Sequence, residues 1–105
     1  MLDTRVAIPR RASDPTAAVL VCLDFGDDDY EDGIAEIIRL AQSAGAKRSV
    51  VVRGRRQRPD SRLYAGSGKV SEVGMIADEL NAATVIFNHA LSPGQQRNLE
   101  KDLGR

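Results

Sequence analysis

Residues 17–25, Ala-Ala-Val-Leu-Val-Cys-Leu-Asp-Phe, contain the longest apolar run of the chain and decide its fold class. Seven apolar residues in succession leave no polar face, which is the pattern of a strand covered on both sides. Strands of this kind occur in parallel sheets that carry helices on both faces. A membrane-spanning helix needs about 20 apolar residues, so this run is far too short for one. The stretch therefore predicts the central strand of an α/β domain.

Three segments with strand character each precede a segment with helical spacing. The predicted strands are residues 17–25, 47–54 and 84–87. This alternation predicts a small three-layer α/β domain with a mostly parallel sheet of three or four strands and right-handed crossover helices. With the first strand at the centre, the first two helices would lie on opposite faces of the sheet.

The predicted helices have recognisable ends. Asp28, with Glu31 three residues later, predicts a capping box at the first helix, and Gly45 predicts its C-terminal end. Gly74 lies inside the second helix and weakens it by about 1 kcal/mol relative to Ala. The sequence Ser92-Pro93-Gly94-Gln95 predicts the start of the third helix, with Ser at the N-cap, Pro first and Gln third.

We divide the chain into an N-terminal arm, residues 1–16, and an α/β domain, residues 17–105. The arm contains two prolines, mixed charges and no sustained period, with a short extended piece at residues 6–8. The last helix has just Leu99 and Leu103 on its apolar face, so we expect a further strand beyond the end of the sequence. A sheet edge, or the face under these leucines, would then be uncovered, which predicts weak self-association or a mobile helix.

Composition narrows the functional classes. Fifteen basic and fifteen acidic residues give a formal net charge of zero, which argues against a polycation of the histone kind. Cys22 is the sole cysteine, which excludes an internal disulfide and a multi-cysteine metal site. Its position within a covered strand predicts a buried, unreactive thiol. No apolar run near the N-terminus has the length of a signal peptide, so we expect a cytoplasmic protein.

Opposite charges are segregated along the chain. The turn after the first strand is acidic: Asp24, Asp27, Asp28, Asp29, Glu31 and Asp32. These carboxylates could hold Mg²⁺ at a strand end. An acidic first turn that complements the helix dipole explains them more simply, and we therefore predict no metal site.

The segment from Arg55 to Lys69 is the candidate binding site. It joins an arginine cluster to a glycine-bracketed turn that opens the second helix. Arginine forks match phosphate oxygens, and a Gly-rich turn at a helix start exposes N–H groups to an anion. The predicted RNA- or phosphate-binding residues are Arg55, Arg56, Arg58, Arg62, Gly66, Ser67, Gly68 and Lys69. A solvated charged loop and a tight turn into a helix are the plainer alternatives.

The same segment does not match a nucleotide-hydrolysing P-loop. A Walker A motif needs Gly where this chain has Leu63, and Ser or Thr where it has Val70. His89 is the sole histidine, and its placement supports no serine-histidine-acid arrangement. We therefore predict no catalytic residues. Four aromatic residues, without Trp, also argue against a base-stacking platform.

Three blocks of the chain resemble the N-terminal domain of the HflX family of ribosome-associated GTPases. The blocks are Val19-Leu20-Val21 running to Asp24, Tyr64-Ala65-Gly66-Ser67-Gly68-Lys69-Val70 after the arginines, and Leu91-Ser92-Pro93-Gly94-Gln95-Gln96-Arg97-Asn98-Leu99-Glu100. The last block, which follows Ile86-Phe87-Asn88, is the most specific. The resemblance covers residues 18–104 and implies a parallel α/β domain that precedes a helical hairpin and a Ras-like G domain.

The resemblance also implies a function for the longer protein. Members of the family bind the large ribosomal subunit and help to split or rescue ribosomes. The resemblance places GTP and Mg²⁺ in a G domain that this sequence lacks, so we expect no cofactor here. The expected partners are ribosomal RNA, contacted by the arginine loop and Lys69, and the helical and GTPase domains of the same protein. Two alternatives stay open: a regulatory domain that senses nucleotide phosphates, and a scaffold that packs on its own GTPase domain.

Overall fold

The computed structural model describes residues 6–9 and 14–103. Its elements, in chain order, are β1 (Val6–Pro9), β2 (Asp14–Asp24), α1 (Tyr30–Ser43), β3 (Arg48–Arg55), α2 (Ser67–Leu80), β4 (Ala82–Phe87) and α3 (Pro93–Asp102). The strands form one sheet in the order β1-β4-β2-β3. β2 runs parallel to both β3 and β4, and β1 runs antiparallel to β4. The predicted α/β class and the central place of the first predicted strand are confirmed.

β2 is buried on both faces because alternate side chains enter two different cores. Val19, Val21 and Leu23 pack with residues of α2 and α3 on one side of the sheet. Leu20 and Cys22 pack under α1 on the other side. The first two helices therefore lie on opposite faces, as predicted, and the domain has three layers. Burial raises the pKa of the Cys22 thiol to about 11, in agreement with the prediction of an unreactive cysteine.

A fourth strand comes from the N-terminal segment. β1 lies within residues 1–16, which were predicted as an arm, and it pairs with β4 from Val6↔Phe87 to Pro9↔Thr84. β2 begins at Asp14, three residues before the predicted start of that strand. The short extended piece predicted at residues 6–8 is thus part of the sheet, where it covers the outer edge of β4.

The apolar face of α3 is covered, contrary to expectation. Leu99 and Leu103 are 0% and 6% exposed. Of the two predicted alternatives, an uncovered face of α3 was wrong, because Leu99 and Leu103 pack in the same core as residues of α2. The Leu103 side chain lies 3.7 Å from the position that a Cβ on Gly74 would occupy. The other alternative, an open sheet edge, applies to β3 in the described sheet.

The capping prediction holds for one helix and fails for the other. The Ser92 hydroxyl accepts a hydrogen bond from the backbone N–H of Gln95, and the Gln95 side-chain oxygen accepts one from the backbone N–H of Ser92. The capping box of α3 is therefore confirmed. In α1 the N-cap is Asp29, without a side-chain hydrogen bond. The predicted box between Asp28 and Glu31 is wrong because Glu31 instead accepts two bonds from Arg53 of β3, at 2.8 and 3.2 Å.

Asn88 extends the pairing of β4 with β2 beyond the last residue of β4. Its side-chain oxygen accepts a bond from Leu23 N–H at 3.0 Å, and its amide nitrogen donates to the Leu23 carbonyl at 3.1 Å. Its backbone N–H also donates to the Val21 carbonyl at 3.1 Å. The side chain of Asn88 thus replaces a missing strand residue and fixes the carboxyl end of β2.

Within the described part of the chain, no helix is both long and apolar enough to cross a membrane.

Replacing Gly74 with Ala should stabilise the domain. Ala has a higher helix propensity than Gly, and the new methyl group would meet Leu103 at an ordinary van der Waals distance. We expect the free energy of unfolding in urea to rise by about 1 kcal/mol. Gly33→Ala in α1 is the matched control, since nothing lies within 4 Å of its new methyl group. A loss of stability in Gly74→Ala alone would contradict the described packing of α3 on α2.

The carboxylate of Asp14 should make the domain less stable as the pH falls into the acidic range. It accepts bonds from the hydroxyl and the N–H of Thr16, at 2.7 and 2.8 Å, and from Arg48 at 2.9 Å. These bonds, the Thr16 hydroxyl first, lower the pKa of Asp14 to about 2. A lowered pKa stabilises the fold above the unfolded value of about 3.9, and this contribution is lost as pH falls towards 2.

Asp14→Asn should therefore be less stable than the parent at pH 7, with a smaller difference at pH 2. Urea denaturation over a pH series measures both effects. Asp28→Asn serves as the control because this exposed carboxylate has no hydrogen bond or ion pair among the described residues. Parallel stability curves for Asp14→Asn and the parent between pH 4 and pH 2 would rule out this role.

Candidate phosphate-binding site

A cleft of about 480 Å³ opens where β2 and β3 end. In parallel α/β sheets, this carboxyl edge is where ligands commonly bind. Side chains and backbone from both strand ends, the following loop and α2 line the cleft: Leu23, Gly54, Arg55, Arg56, Asp60, Ala65, Gly66, Ser67, Gly68 and Lys69. The structure thus brings together six of the eight predicted site residues: Arg55, Arg56, Gly66, Ser67, Gly68 and Lys69.

The N-terminus of α2 forms one wall of this cleft. Gly66 is the N-cap, with φ of 85° and ψ of 155°, and no side chain caps the helix. The first N–H groups of a helix have no intrahelical acceptor, and they carry the positive end of the helix dipole. Ser67 and Gly68 are exposed. The wall therefore presents N–H donors that an anion can reach.

Arg56 is held at the mouth of the cleft. Its Nη1 donates to the Ala65 carbonyl at 3.3 Å, and its Nε donates to the Arg58 carbonyl at 3.2 Å. Nη1 lies 2.6 Å from the position that a Cβ on Gly66 would occupy. Gly66 is thus needed twice, for its positive φ and for the close approach of the guanidinium.

Arg55 is the most accessible cation of the cleft. Its side chain is 85% exposed, and a guanidinium nitrogen lies 3.6 Å from an Asp24 oxygen. Ion pairs this exposed contribute little stability. Arg55 can therefore exchange Asp24 for a phosphate group at little cost.

The ammonium group of Lys69 is hydrogen-bonded to other residues of the protein. Its Nζ donates to the Arg53 carbonyl and to a Glu72 carboxylate oxygen, both at 2.9 Å, and its side chain is 24% exposed. Lys69 therefore lines the cleft, but its ammonium group already has two protein acceptors, one of which is a carboxylate.

The two remaining predicted residues lie outside the cleft. Arg58 is exposed and is absent from the cleft lining, although its carbonyl helps to hold Arg56. Arg62 points towards α3, where its guanidinium forms two bonds with Asp102, at 3.2 and 3.3 Å. A pairing between residues forty positions apart gives no local signal in the sequence.

Asp60 organises the loop between β3 and α2. Its Oδ1 accepts bonds from the N–H groups of Leu63 and Arg62, at 2.7 and 2.9 Å, and the first of these bonds does most to lower the pKa of Asp60. The backbones of Asp60 and Tyr64 also form a reciprocal pair of bonds at 2.8 and 2.9 Å. The Pro59-Asp60 turn signal marks this feature in the sequence, but it does not reveal the role of the carboxylate.

Tyr64 anchors the loop in the core. It is buried, has a positive φ of 66°, and meets the rings of Phe25 and Phe87 edge-on at 5.7 and 6.0 Å. His89 joins the same cluster, 5.2 Å from Phe25. Burial raises the pKa of Tyr64. The scarce aromatic residues thus support the loop beside the cleft.

The acidic turn borders a second cavity of about 360 Å³. Its lining comprises Asp27, Asp29, Tyr30, Gly33, Glu36, Asn88 and His89. The Tyr30 hydroxyl donates to the Cys22 carbonyl at 2.6 Å, which ties the start of α1 to β2. Across the described residues, no three His, Cys, Asp or Glu side chains are grouped as metal ligands.

Comparison with known proteins gives one consistent family. Residues 31–105 match the family model described as GTP-binding GTPase N-terminal. GTPase HflX of Escherichia coli (strain K12) is 38% identical over 84 residues, which cover 80% of this chain and 20% of that protein. GTPase HflX of Alkalihalophilus pseudofirmus is 37% identical over 74% of this chain, and that of Chlamydia pneumoniae is 33% identical over 98%. The chain spans about a fifth of the length of these curated relatives.

Replacing Gly66 with Ala should disrupt the cleft. An Ala at this φ and ψ is strained by about 1–3 kcal/mol, and its methyl group would displace the Arg56 guanidinium. We expect a loss of stability of that size in urea denaturation and a shifted NMR resonance of Arg56 Nε–H. Gly68→Ala is the matched control, because it lies in the same turn with open space around the new methyl group. An unchanged Arg56 signal in Gly66→Ala would contradict the described geometry.

Proposed function

This chain belongs to the HflX family as the N-terminal part of a GTPase, and on that premise we propose that it is a non-catalytic module that helps its parent protein to grip ribosomal RNA of the large subunit. The observation that carries the proposal is the cleft in which Arg55 and Arg56 adjoin the uncapped N-terminus of α2. In this proposal the parent protein works in the cytoplasm, where it splits or rescues ribosomes.

The cleft suits the phosphate groups of an RNA backbone. Guanidinium forks and helix N–H groups both bind phosphate oxygens. Arg55 is free to change partners, and Arg58 adds a further exposed positive charge beside the cleft. Such contacts neutralise phosphates without reading bases, so binding should depend little on RNA sequence.

The zero net charge favours a local contact over general RNA binding. Asp24, the last residue of β2, lies 3.6 Å from Arg55, and exposed acidic residues follow Asp24 in the next turn. Like charges repel, so the acidic turn would keep an RNA backbone away from its side of the cleft. RNA would therefore approach this domain in a restricted orientation.

We assign catalysis to the rest of the parent protein. The spacing at Gly66–Lys69 lacks the residues of a Walker A motif, so GTP and Mg²⁺ would bind in a separate G domain. That G domain and a helical domain would be the other partners of this module. β3 lies at an edge of the described sheet, and unpaired strand edges recruit other chains. We propose weak self-association of the isolated domain through this edge.

Salt should weaken RNA binding steeply. If Arg55, Arg56 and Arg58 each neutralise one phosphate of a single strand, the slope of log affinity against log salt should be about −2. The double variant Arg55→Ala/Arg58→Ala should bind less tightly and have a slope of about −0.7, because two of the three contacts are lost. Fluorescence anisotropy with a single-stranded RNA oligonucleotide measures these values, and sedimentation with purified large ribosomal subunits tests the biological target.

The matched control is Arg39→Ala/Arg97→Ala, which removes two exposed arginines outside the cleft. This variant should keep the affinity and slope of the parent. Equal binding by both double variants at every salt concentration would reject the cleft as the RNA contact. Stabilisation by GTP in a thermal melt, without RNA binding, would instead favour a nucleotide-sensing domain in the same cleft.

A further inference from the structure

One polar face of α3 is attached to the loop beside the cleft. We define the arginine segment as residues 56–66, which join β3 to α2. Gln95, Asn98 and Asp102 follow one another at helical spacings of three and four residues, so they share one face of α3. All three bond to the arginine segment, whereas Leu99 and Leu103 hold the helix on the core.

The contacts involve two neighbouring parts of the segment. Gln95 Nε2 donates to the Asp60 carbonyl at 2.8 Å, and Asn98 Nδ2 donates to the Arg62 carbonyl at 3.1 Å. The Asp102 carboxylate accepts both bonds from the Arg62 guanidinium. By contrast, the backbone–backbone bonds described for residues 57–65 are all internal to the segment. Side chains of α3 therefore provide its hydrogen-bonded links to the rest of the domain at these positions.

Gln95 has a double role that fixes the orientation of its amide group. Its Oε1 accepts the Ser92 N–H at 3.0 Å in the capping box. With the oxygen used by the cap, the NH₂ group faces outward and reaches the Asp60 carbonyl. The start of α3 and the position of the segment are therefore set by one side chain.

The contacts continue from the segment to the cleft. Asp60 bonds to the backbone of Tyr64, and the neighbouring Ala65 carbonyl accepts the bond from Arg56. Arg56 in turn lies against Gly66, the N-cap of α2. A chain of contacts therefore connects α3, through the segment, to the Arg56 guanidinium.

We infer that Gln95, Asn98 and Asp102 are positioning residues for the cleft, and that α3 controls how tightly the cleft binds RNA. For its ligand, the inference rests on the proposed function. The attachment of the arginine segment to α3 rests on the described hydrogen bonds alone. A partner or variant that displaces α3 should release the segment, move Arg56 and weaken binding. None of the three residues needs to touch RNA.

Gln95→Glu separates the two roles of this side chain. Glutamate preserves the capping box, since a carboxylate oxygen accepts the Ser92 N–H, but it has no donor for the Asp60 carbonyl. Gln96→Glu is the matched control: it makes the same charge change one residue later, where no side-chain hydrogen bond is described. Asp102→Asn is a second variant, which weakens the link to Arg62 at an exposed position.

Hydrogen exchange tests the link without RNA. The amides of Arg62, Leu63 and Tyr64 should exchange about two- to tenfold faster in Gln95→Glu and Asp102→Asn than in the parent, as expected for the loss of one net hydrogen bond. Exchange in Gln96→Glu should match the parent. Unchanged exchange in both Gln95→Glu and Asp102→Asn would overturn the inference, even if the parent chain binds RNA.

A double-mutant cycle tests the coupling to the cleft. Gln95→Glu should reduce affinity for the same single-stranded RNA oligonucleotide by about two- to tenfold, but should change it little when Arg56 is already Ala. A reduction of equal size in both backgrounds would show an effect independent of Arg56 and would overturn the coupling. If the parent chain binds no RNA, the proposed function fails, and the exchange experiment alone decides whether α3 holds the segment.

Discussion

The burial of β2 on both faces is the constraint on which the rest of the structure depends. Every side chain from residue 17 to residue 23 is buried, and successive side chains enter opposite cores. Apolar area buried on folding contributes roughly 25 cal/mol per Å², so both faces must be covered at once. Covering them takes α1 on one side and α2 with α3 on the other, which leaves the carboxyl ends of the strands open to the loops.

Polar groups at those strand ends are paired by side chains that act as extensions of the backbone. Asn88 bonds both backbone groups of Leu23, and Tyr30 bonds the Cys22 carbonyl. Unpaired backbone groups at a buried strand end would be costly. Because these bonds pair the backbone groups at its end, β2 can stop directly beside the cleft. The arginine segment, which α3 side chains bond, lines the cleft together with the N-terminus of α2.

The charged side chains of β3 form separate ion pairs, each with one acidic neighbour. Along β3, Arg48, Arg53 and Arg55 each lie beside an acidic side chain from a preceding part of the chain. The pairs differ in accessibility, and Arg55 is the most exposed of the three. A chain with zero net charge can therefore still present an exposed positive charge at one place on its surface.

Features that depend on neighbouring residues were predictable from the sequence: the apolar run of β2, the Ser92 cap of α3 and the glycine turn before α2. Each results from burial or hydrogen bonding within a few residues. Tertiary structure alone decided that Val6–Pro9 pairs with β4 and that Glu31 binds Arg53 instead of capping α1. It also decided that Arg62 binds Asp102 of α3 and lies outside the cleft. These contacts join residues far apart in the chain, and side chains with several possible partners take the one that packing brings within reach.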